Sequence, residues 1–203
     1  MPSYKLYYFP ARGRAEISRF IFKQAEVDFE DVRIGGEDWA KLKPNTPYGS
    51  MPVLEVDGQM LGGSGSMQRY LAEKFGLAGS NDFENAEIDS IIDAIGDLSQ
   101  ELMKVHFEKD EAKKAELGKK LKSETLPKFL GIFEKLVSSN ASGWIYGSKV
   151  TYADFALYNV MGWVKMGAAA ALDSFPAIKK NMEAVEALPN IAKWLKERPE
   201  TQH

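Results

Sequence analysis

Residues 52–75, PVLEVDGQMLGGSGSMQRYLAEKF, carry the reading on which the fold turns. PVLEV (52–56) is a short apolar strand, Asp57-Gly58 is a two-residue hairpin turn, and Gln59–Leu61 is the returning strand. From Ser64 to Phe75 the period changes: Met67, Tyr70, Leu71 and Phe75 recur at helical spacing. Upstream, Ser3–Phe9 (SYKLYYF) is a tyrosine-rich strand flanked by Pro10. A helix follows, with Ala15, Ile17, Phe20, Ile21 and Ala25 as its apolar positions. Asp28–Ile34 is a second strand, and Trp39–Lys43 falls in a short, Pro-bounded segment. The order β-α-β, then β-β-α, implies a small mixed sheet with helices on its faces.

Downstream the texture changes. Leu77–Phe83 is a polar, Gly-containing connection and marks the expected domain boundary. Asn81-x-x-Glu84 reads as a capping box, and Ile88, Ile91, Ile92, Ile95, Leu98, Leu102 and Val105 form one apolar stripe behind it. A second long helix is expected from about Glu111 to Val137, kinked or split by Pro127. Thr151-x-x-Asp154 is a further capping box, read as helix initiation rather than chemistry. Phe175–Leu188 and Asn190–Arg198 complete a helical half with no internal repeat.

Composition narrows the function. The chain has 203 residues, 44% of them hydrophobic and 27% charged, which suits one or two globular domains that need no staple. A net charge of -3 gives no global reason to seek nucleic acid or an anionic membrane. The absence of cysteine excludes a disulfide scaffold, a thiolate metal site and a cysteine nucleophile. His106 and His203 are the only histidines, too few for a His-rich metal site or a Ser-His-Asp triad. No signal-peptide core opens the chain and no apolar run approaches membrane-spanning length, so the expected compartment is the cytosol.

Three features stand out by residue type. Tyr8 ends the first strand, Met51-Pro52 begins the third, and Gly63-Ser64 lies where the last strand meets a helix. A cis Met51-Pro52 bond would turn the Met51 amide and carbonyl outward as a docking edge for an extended peptide; a trans bond would merely open the strand. Ser64 is first an N-cap, and the same position suits a bound carboxylate, because free N–H groups and the helix dipole converge there.

Together these residues resemble the glutathione S-transferases, the sigma class most closely, over essentially the whole chain. The motifs are YKLYYFPARGRAE (4–16), Asp38-Trp39, KPNTPYGSMPVLEVDG (43–58), RYLAEKFGLAG (69–79), VTYADF (150–155) and LPNIAKWLKERP (188–199). The resemblance implies a thioredoxin-like α/β domain over residues 1–78. An all-helical domain over 84–203 would form the electrophile site and part of a homodimer interface. Glutathione is the implied co-substrate.

The implied roles follow position by position. Tyr8 matches the catalytic tyrosine, whose hydroxyl would donate a hydrogen bond to the glutathione sulfur and favour thiolate. A free thiol has a pKa near 8.5. One charge-assisted hydrogen bond contributes roughly 1.5–3 kcal/mol, which is about one to two pKa units. Tyr7 would point to the opposite face of the strand and serve packing. Arg14 matches a residue that supports this tyrosine. Trp39 and Lys43 match contacts to the glycyl end, Lys43 pairing with its carboxylate. Gly49, Ser50, Met51 and Pro52 fall in the matching glutathione-binding stretch, the last two holding the cysteinyl backbone. Gly63 and Ser64 lie at the γ-glutamyl end, Ser64 binding its carboxylate. Asp97 matches an acid that reaches across the dimer toward the γ-glutamyl amine. The electrophile would meet Phe9, Arg12, Gly13, Met103, Lys104 and Tyr158 in a cleft between the domains.

Two departures bear on activity. Family members usually have Gln where this chain has Gly63; the missing amide would weaken glutathione affinity by on the order of 1 kcal/mol. Gly62, Gly63 and Gly65 together would loosen the loop. The sigma-class prostaglandin D synthases have an aromatic residue where this chain has Lys104. Asp89, Asp93 and Asp97 share one helix face, and nothing in the sequence demands a metal ion there. The resulting expectation is a cytosolic transferase that conjugates glutathione to small apolar electrophiles. Two rivals stand beside it, a glutathione-dependent prostaglandin D isomerase and a non-catalytic, crystallin-like or ligand-binding descendant.

Overall fold

The structure is a computed structural model that describes residues 2–201; His203 lies outside the described residues. The chain divides into two compact units, Met1–Leu77 with Leu188–His203, and Ala78–Ala187.

The first unit is built on a four-stranded sheet, β1 (Tyr4–Tyr8), β2 (Glu30–Arg33), β3 (Val53–Val56) and β4 (Gln59–Gly62), in the order β2-β1-β3-β4. β1 runs parallel to β2 and antiparallel to β3, with Leu6 opposite both Asp31 and Leu54. Asp57 and Gly58 both take positive φ, 50° and 84°, the backbone demanded by a two-residue hairpin between twisted strands. α1 (Glu16–Gln24), α2 (Gly36–Leu42) and α3 (Ser64–Lys74) complete the expected β-α-β, β-β-α order of a thioredoxin-like domain. Leu6, Phe20, Ile21, Phe22, Val53, Leu54, Met67 and Leu71 are fully buried and make its core.

α1 departs from its expected pattern. Ile17 and Ala25 are only half-buried, whereas Glu16, Ser18 and Arg19 are wholly buried. Burial of these charges is sustained by pairing: Glu16 accepts from Arg19 Nη1 at 2.9 Å, Trp194 Nε1 at 3.0 Å and Arg198 Nη1 at 3.0 Å. The last two partners come from the C-terminal helix α9 (Pro189–Glu197) and the residue that follows it. They bring this helix onto the first unit, and the second compact unit ends at Ala187. Lys23 seals the junction between the rings of Trp194 and Phe29, 5.0 and 5.3 Å from their centroids.

The second unit is helical. α4 (Asp82–Phe107) is capped by Asn81, which accepts from the amides of Phe83 and Glu84 at 3.0 Å each. Glu84 closes the box one residue early, accepting from Ser80 N–H at 2.7 Å. Ile88, Ile91, Ile95, Leu98 and Leu102 are buried, while Ile92 and Val105 are half-buried at the edge of the stripe. The expected helix 111–137 is two helices, α5 (Glu111–Lys120) and α6 (Leu126–Ser139), joined through a π-helical turn over Leu121–Thr125. Pro127 is the second residue of α6, directly after the π-helical turn, where its missing N–H leaves a carbonyl of the preceding turn without a helix partner. α7 (Tyr152–Ala168) starts at the Thr151–Asp154 capping box, and α8 (Pro176–Ala187) starts where the Glu134 carboxylate accepts from the amides of Ala177 and Ile178, both at 3.0 Å.

Candidate active site

Alternation along β1 separates its two terminal tyrosines. Tyr4 and Leu6 face the core, and Tyr8 shares their side of the strand. Tyr7 points the other way and donates its phenol proton to Glu55 Oε2 at 2.9 Å. Burial, then the Glu55 carboxylate and the charge of Glu30, push the Tyr7 phenol up to about 12. Its proton is committed.

Tyr8 has the opposite arrangement. Its Oη accepts the Arg14 backbone N–H at 3.2 Å, which leaves the phenol proton to be given elsewhere. Gly13 makes this approach possible for two reasons. Its φ is +41°, and a Cβ there would fall 2.6 Å from Tyr8 Oη and 2.9 Å from Cε1. Gln68, buried on α3, holds the far side of the turn by donating to the Arg14 carbonyl at 3.2 Å. The contact between Arg14 and Tyr8 is thus made by the backbone; Arg14 is itself exposed and its guanidinium makes no hydrogen bond or ion pair among the described residues.

An aromatic row extends from Tyr8. The Phe9 ring is 5.7 Å from that of Tyr8, and Trp39 on α2 meets Phe9 edge-on at 5.9 Å. Lys43 is exposed and without an ion pair among the described residues; its carbonyl accepts from Thr46 Oγ1 at 2.9 Å, which anchors the turn behind it. Gly49 is at φ +59°, where a Cβ would lie 3.7 Å from Lys43 Cε, Ser50 is exposed, and the Met51-Pro52 peptide bond is cis.

The start of α3 differs from expectation. The N-cap is Gly63, at φ +89° and ψ 110°, and Ser64 is the first helical residue. The Ser64 hydroxyl bonds nothing among the described residues and is half-buried, so hydroxyl and first-turn amides are available together. Two of the three glycines have a structural reason rather than loosening the loop. A Cβ on Gly62 would strike the Tyr48 ring at 2.8 Å, and Gly63 has a backbone that L-residues rarely adopt.

The remaining candidates lie on the second unit. Asp97 and Asp93 are exposed on α4, but Asp89 is taken by the Tyr152 hydroxyl, so the acidic face is not a uniform solvated stripe. No group of three acidic or imidazole side chains fit to hold a metal ion exists among the described residues. Met103 is half-buried, Lys104 is exposed and ion-paired with Glu101, and the Tyr158 hydroxyl donates to Glu186 at 2.9 Å. His106 is half-buried, edge-on to Phe107 and Trp163 at 4.8 and 5.2 Å.

The structure therefore joins Tyr8 to Gly13 and Arg14, Phe9 to Trp39, and Lys43 to Gly49. Sequence reasoning passed over Gln68, Glu16 and Arg19. The available signal was a Glu-x-x-Arg pair flanking the apolar positions of the helix, at the spacing that lets the two side chains meet.

Comparison with known proteins gives the family. The family model described as "Glutathione S-transferase, N-terminal domain" matches residues 16–80, and "Glutathione S-transferase, C-terminal domain" matches 96–198. The chain is 40% identical over the full length of both proteins to Glutathione S-transferase 1 of Ascaris suum. It is 38% identical, over 99% of each chain, to the hematopoietic prostaglandin D synthase of Gallus gallus. Among solved structures it resembles a nu-class glutathione S-transferase from Haemonchus contortus, with a TM-score of 0.93, 37% identity and all of both chains covered. A glutathione S-transferase of Necator americanus described as monomeric aligns with a TM-score of 0.90 and 37% identity, covering 99% of this chain and 100% of that one.

Proposed function

Because this chain belongs to the glutathione S-transferase family, we propose that it joins the thiolate of glutathione to small apolar electrophiles, with Tyr8 keeping the sulfur ionised. The observation that carries the reading is the pair of opposed phenols: the Tyr7 hydroxyl is already engaged as a hydrogen-bond donor to Glu55, while Tyr8 accepts an amide N–H and keeps its own O–H to donate. An amide donor on the phenol oxygen strengthens the phenol as a hydrogen-bond donor in turn. Thiolate is the nucleophile, and holding it beside the electrophile supplies proximity.

The other roles are proposed on the same footing. Lys43 and Trp39 receive the glycyl end, and Gly49 to Pro52 line the peptide backbone. Ser64 and the first-turn amides of α3 receive the γ-glutamyl carboxylate, the charge favoured at a helix N-terminus. The Arg14 guanidinium adds positive charge near the sulfur. Phe9, Arg12, Gly13, Met103, Lys104 and Tyr158 are the proposed electrophile contacts. Asp97, exposed and unpaired among the described residues, is proposed to reach the γ-glutamyl amine of a second copy in a homodimer. We place the protein closest to the sigma class and in the cytosol, where thiols are kept reduced. Among the described residues no helix is long and apolar enough to cross a membrane. Isomerisation of a prostaglandin endoperoxide by the same thiolate is the second reading, favoured by the 38% identity to the Gallus gallus synthase.

Ultraviolet difference spectroscopy tests the primary claim. A thiolate band should appear when glutathione is added at neutral pH, and its absence would sink the reading.

Gly63→Gln separates binding from folding at the same site. A non-glycine residue held at φ +89° costs about 1–3 kcal/mol of folding stability. The amide would return roughly 1 kcal/mol of glutathione affinity. The variant should melt lower yet bind glutathione about fivefold tighter; equal affinity for the two proteins would refute the proposed γ-glutamyl contact.

A further inference from the structure

Arg19 is the largest wholly buried side chain among the described residues, and it lies beneath Tyr8. Its guanidinium carbon is 6.0 Å from the Tyr8 ring centroid. Nη1 donates to the carbonyls of Ala11 at 2.9 Å and Arg12 at 3.3 Å, and also to Glu16 at 2.9 Å. Nε donates to Asp31 Oδ1 at 2.9 Å, and Nη2 has no hydrogen-bond partner among the described residues.

Two consequences follow. First, the carbonyls of Ala11 and Arg12 immediately precede Gly13, and the next amide, that of Arg14, is the one given to Tyr8 Oη. Arg19 therefore grips one side of the turn whose other side addresses the phenol. Second, the charges around it do not cancel. Arg198, Glu16, Arg19, Asp31 and Arg33 form one chain of ion pairs with three cations and two anions. Arg12 and Arg14, on the turn, add no negative charge. The carboxylates of Glu55 and Glu30 belong to the Tyr7 side: Glu55 holds the Tyr7 phenol and Glu30 pairs with Lys5. Glu200 lines a pocket with Arg12 and Arg198 at the outer end of this chain, so around Arg19 itself the chain has one more cation than anions behind the Tyr8 face of the strand.

We infer that Arg19 is a positioning residue for the proposed reaction, holding the 11–14 turn so that the Arg14 amide meets Tyr8 and placing net positive charge behind the phenol that faces the substrate sulfur. This rests on the role proposed for Tyr8. A guanidinium is needed because only its fork spans two carbonyls and two carboxylates at once; an ammonium supplies the charge without the fork.

The test uses the intact protein with Arg19→Lys and Asp31→Asn. Arg19→Lys should raise the midpoint of the bound glutathione thiolate band by about one pH unit and lower kcat/KM at pH 6.5 about tenfold. The KM for glutathione should change less than twofold. Asp31→Asn keeps Arg19 on Glu16 and the two carbonyls but removes a neutralising anion, so its midpoint should move down. Opposite shifts from two destabilising changes are not produced by a merely structural role. Unmoved midpoints beside lowered melting temperatures would overturn the inference, and Asp31→Asn alone decides it should Arg19→Lys not fold. Amide hydrogen exchange at Arg14 gives a readout that needs no glutathione: it should speed at least tenfold in Arg19→Lys, and unchanged exchange refutes the turn-holding role. Absence of a thiolate band in the wild type would strike the function proposed for Tyr8, while the Arg14 exchange would still judge Arg19.

Discussion

Tyr8→Phe should lower kcat/KM for conjugation to a chloronitrobenzene-type electrophile by about 10- to 150-fold at neutral pH, the equivalent of one charge-assisted hydrogen bond of roughly 1.5–3 kcal/mol. The fold should be unaffected, because Tyr8 Oη accepts a single bond, from Arg14 N–H at 3.2 Å. The sign of the pH dependence follows from what the phenol does. It lowers the thiol pKa, so its advantage exists below the free value near 8.5 and fades as glutathione ionises unaided at higher pH. The deficit of the variant should therefore shrink as pH rises through about 8.5. Tyr7→Phe is the control: it breaks the bond to Glu55 and should leave turnover within about twofold. A Tyr7→Phe enzyme slower than Tyr8→Phe would mean that the strand presents the other phenol to the sulfur. A wild type as slow as Tyr8→Phe would favour a structural or ligand-binding protein.

The largest effect on stability is expected from Asp154→Ala. This carboxylate is fully buried and accepts four hydrogen bonds: from Ile145 N–H at 2.8 Å, Thr151 N–H at 2.9 Å, Thr151 Oγ1 at 3.2 Å and Asn181 Nδ2 at 2.9 Å. It therefore does more than cap α7. It joins the start of that helix to the 145 loop and to α8 in one buried network. Truncation strands several buried donors, each at about 1–3 kcal/mol. A total loss of roughly 3–5 kcal/mol is expected for a broken buried network. For a chain of this size that is about 6–20 °C in Tm. Asp154→Asn, which retains one acceptor oxygen, should lose less. A thermal melt placing Asp154→Ala within about 3 °C of wild type would contradict this account.

Much of this protein is legible in local sequence. The Asp57-Gly58 turn, the alternation of Tyr4, Leu6 and Tyr8, and the two capping boxes depend on neighbours within a few residues, where backbone geometry admits few solutions. Pro127 announced a break between α5 and α6 but not its form, because the π turn at 121–125 answers to the packing of Leu121 and Leu126, both buried. The candidate site was legible in residue types. The opposition of Tyr7 and Tyr8 followed from the period of a strand; the fate of each proton did not.

What sequence alone determined is the order of elements in the first unit and the opposition of Tyr7 and Tyr8 across their strand, since both rest on periodicity and on short-range sterics. What only tertiary structure decided is the company each charge keeps. Glu16 meets Trp194 and Arg198 across 178 and 182 residues, and that contact draws the last helix onto the first unit. Arg19 looks like a surface residue in the string of letters and is buried because Asp31, Glu16 and two carbonyls converge on it. A buried charge is tolerable only where distant segments supply its partners, and no local pattern records where those segments will fold.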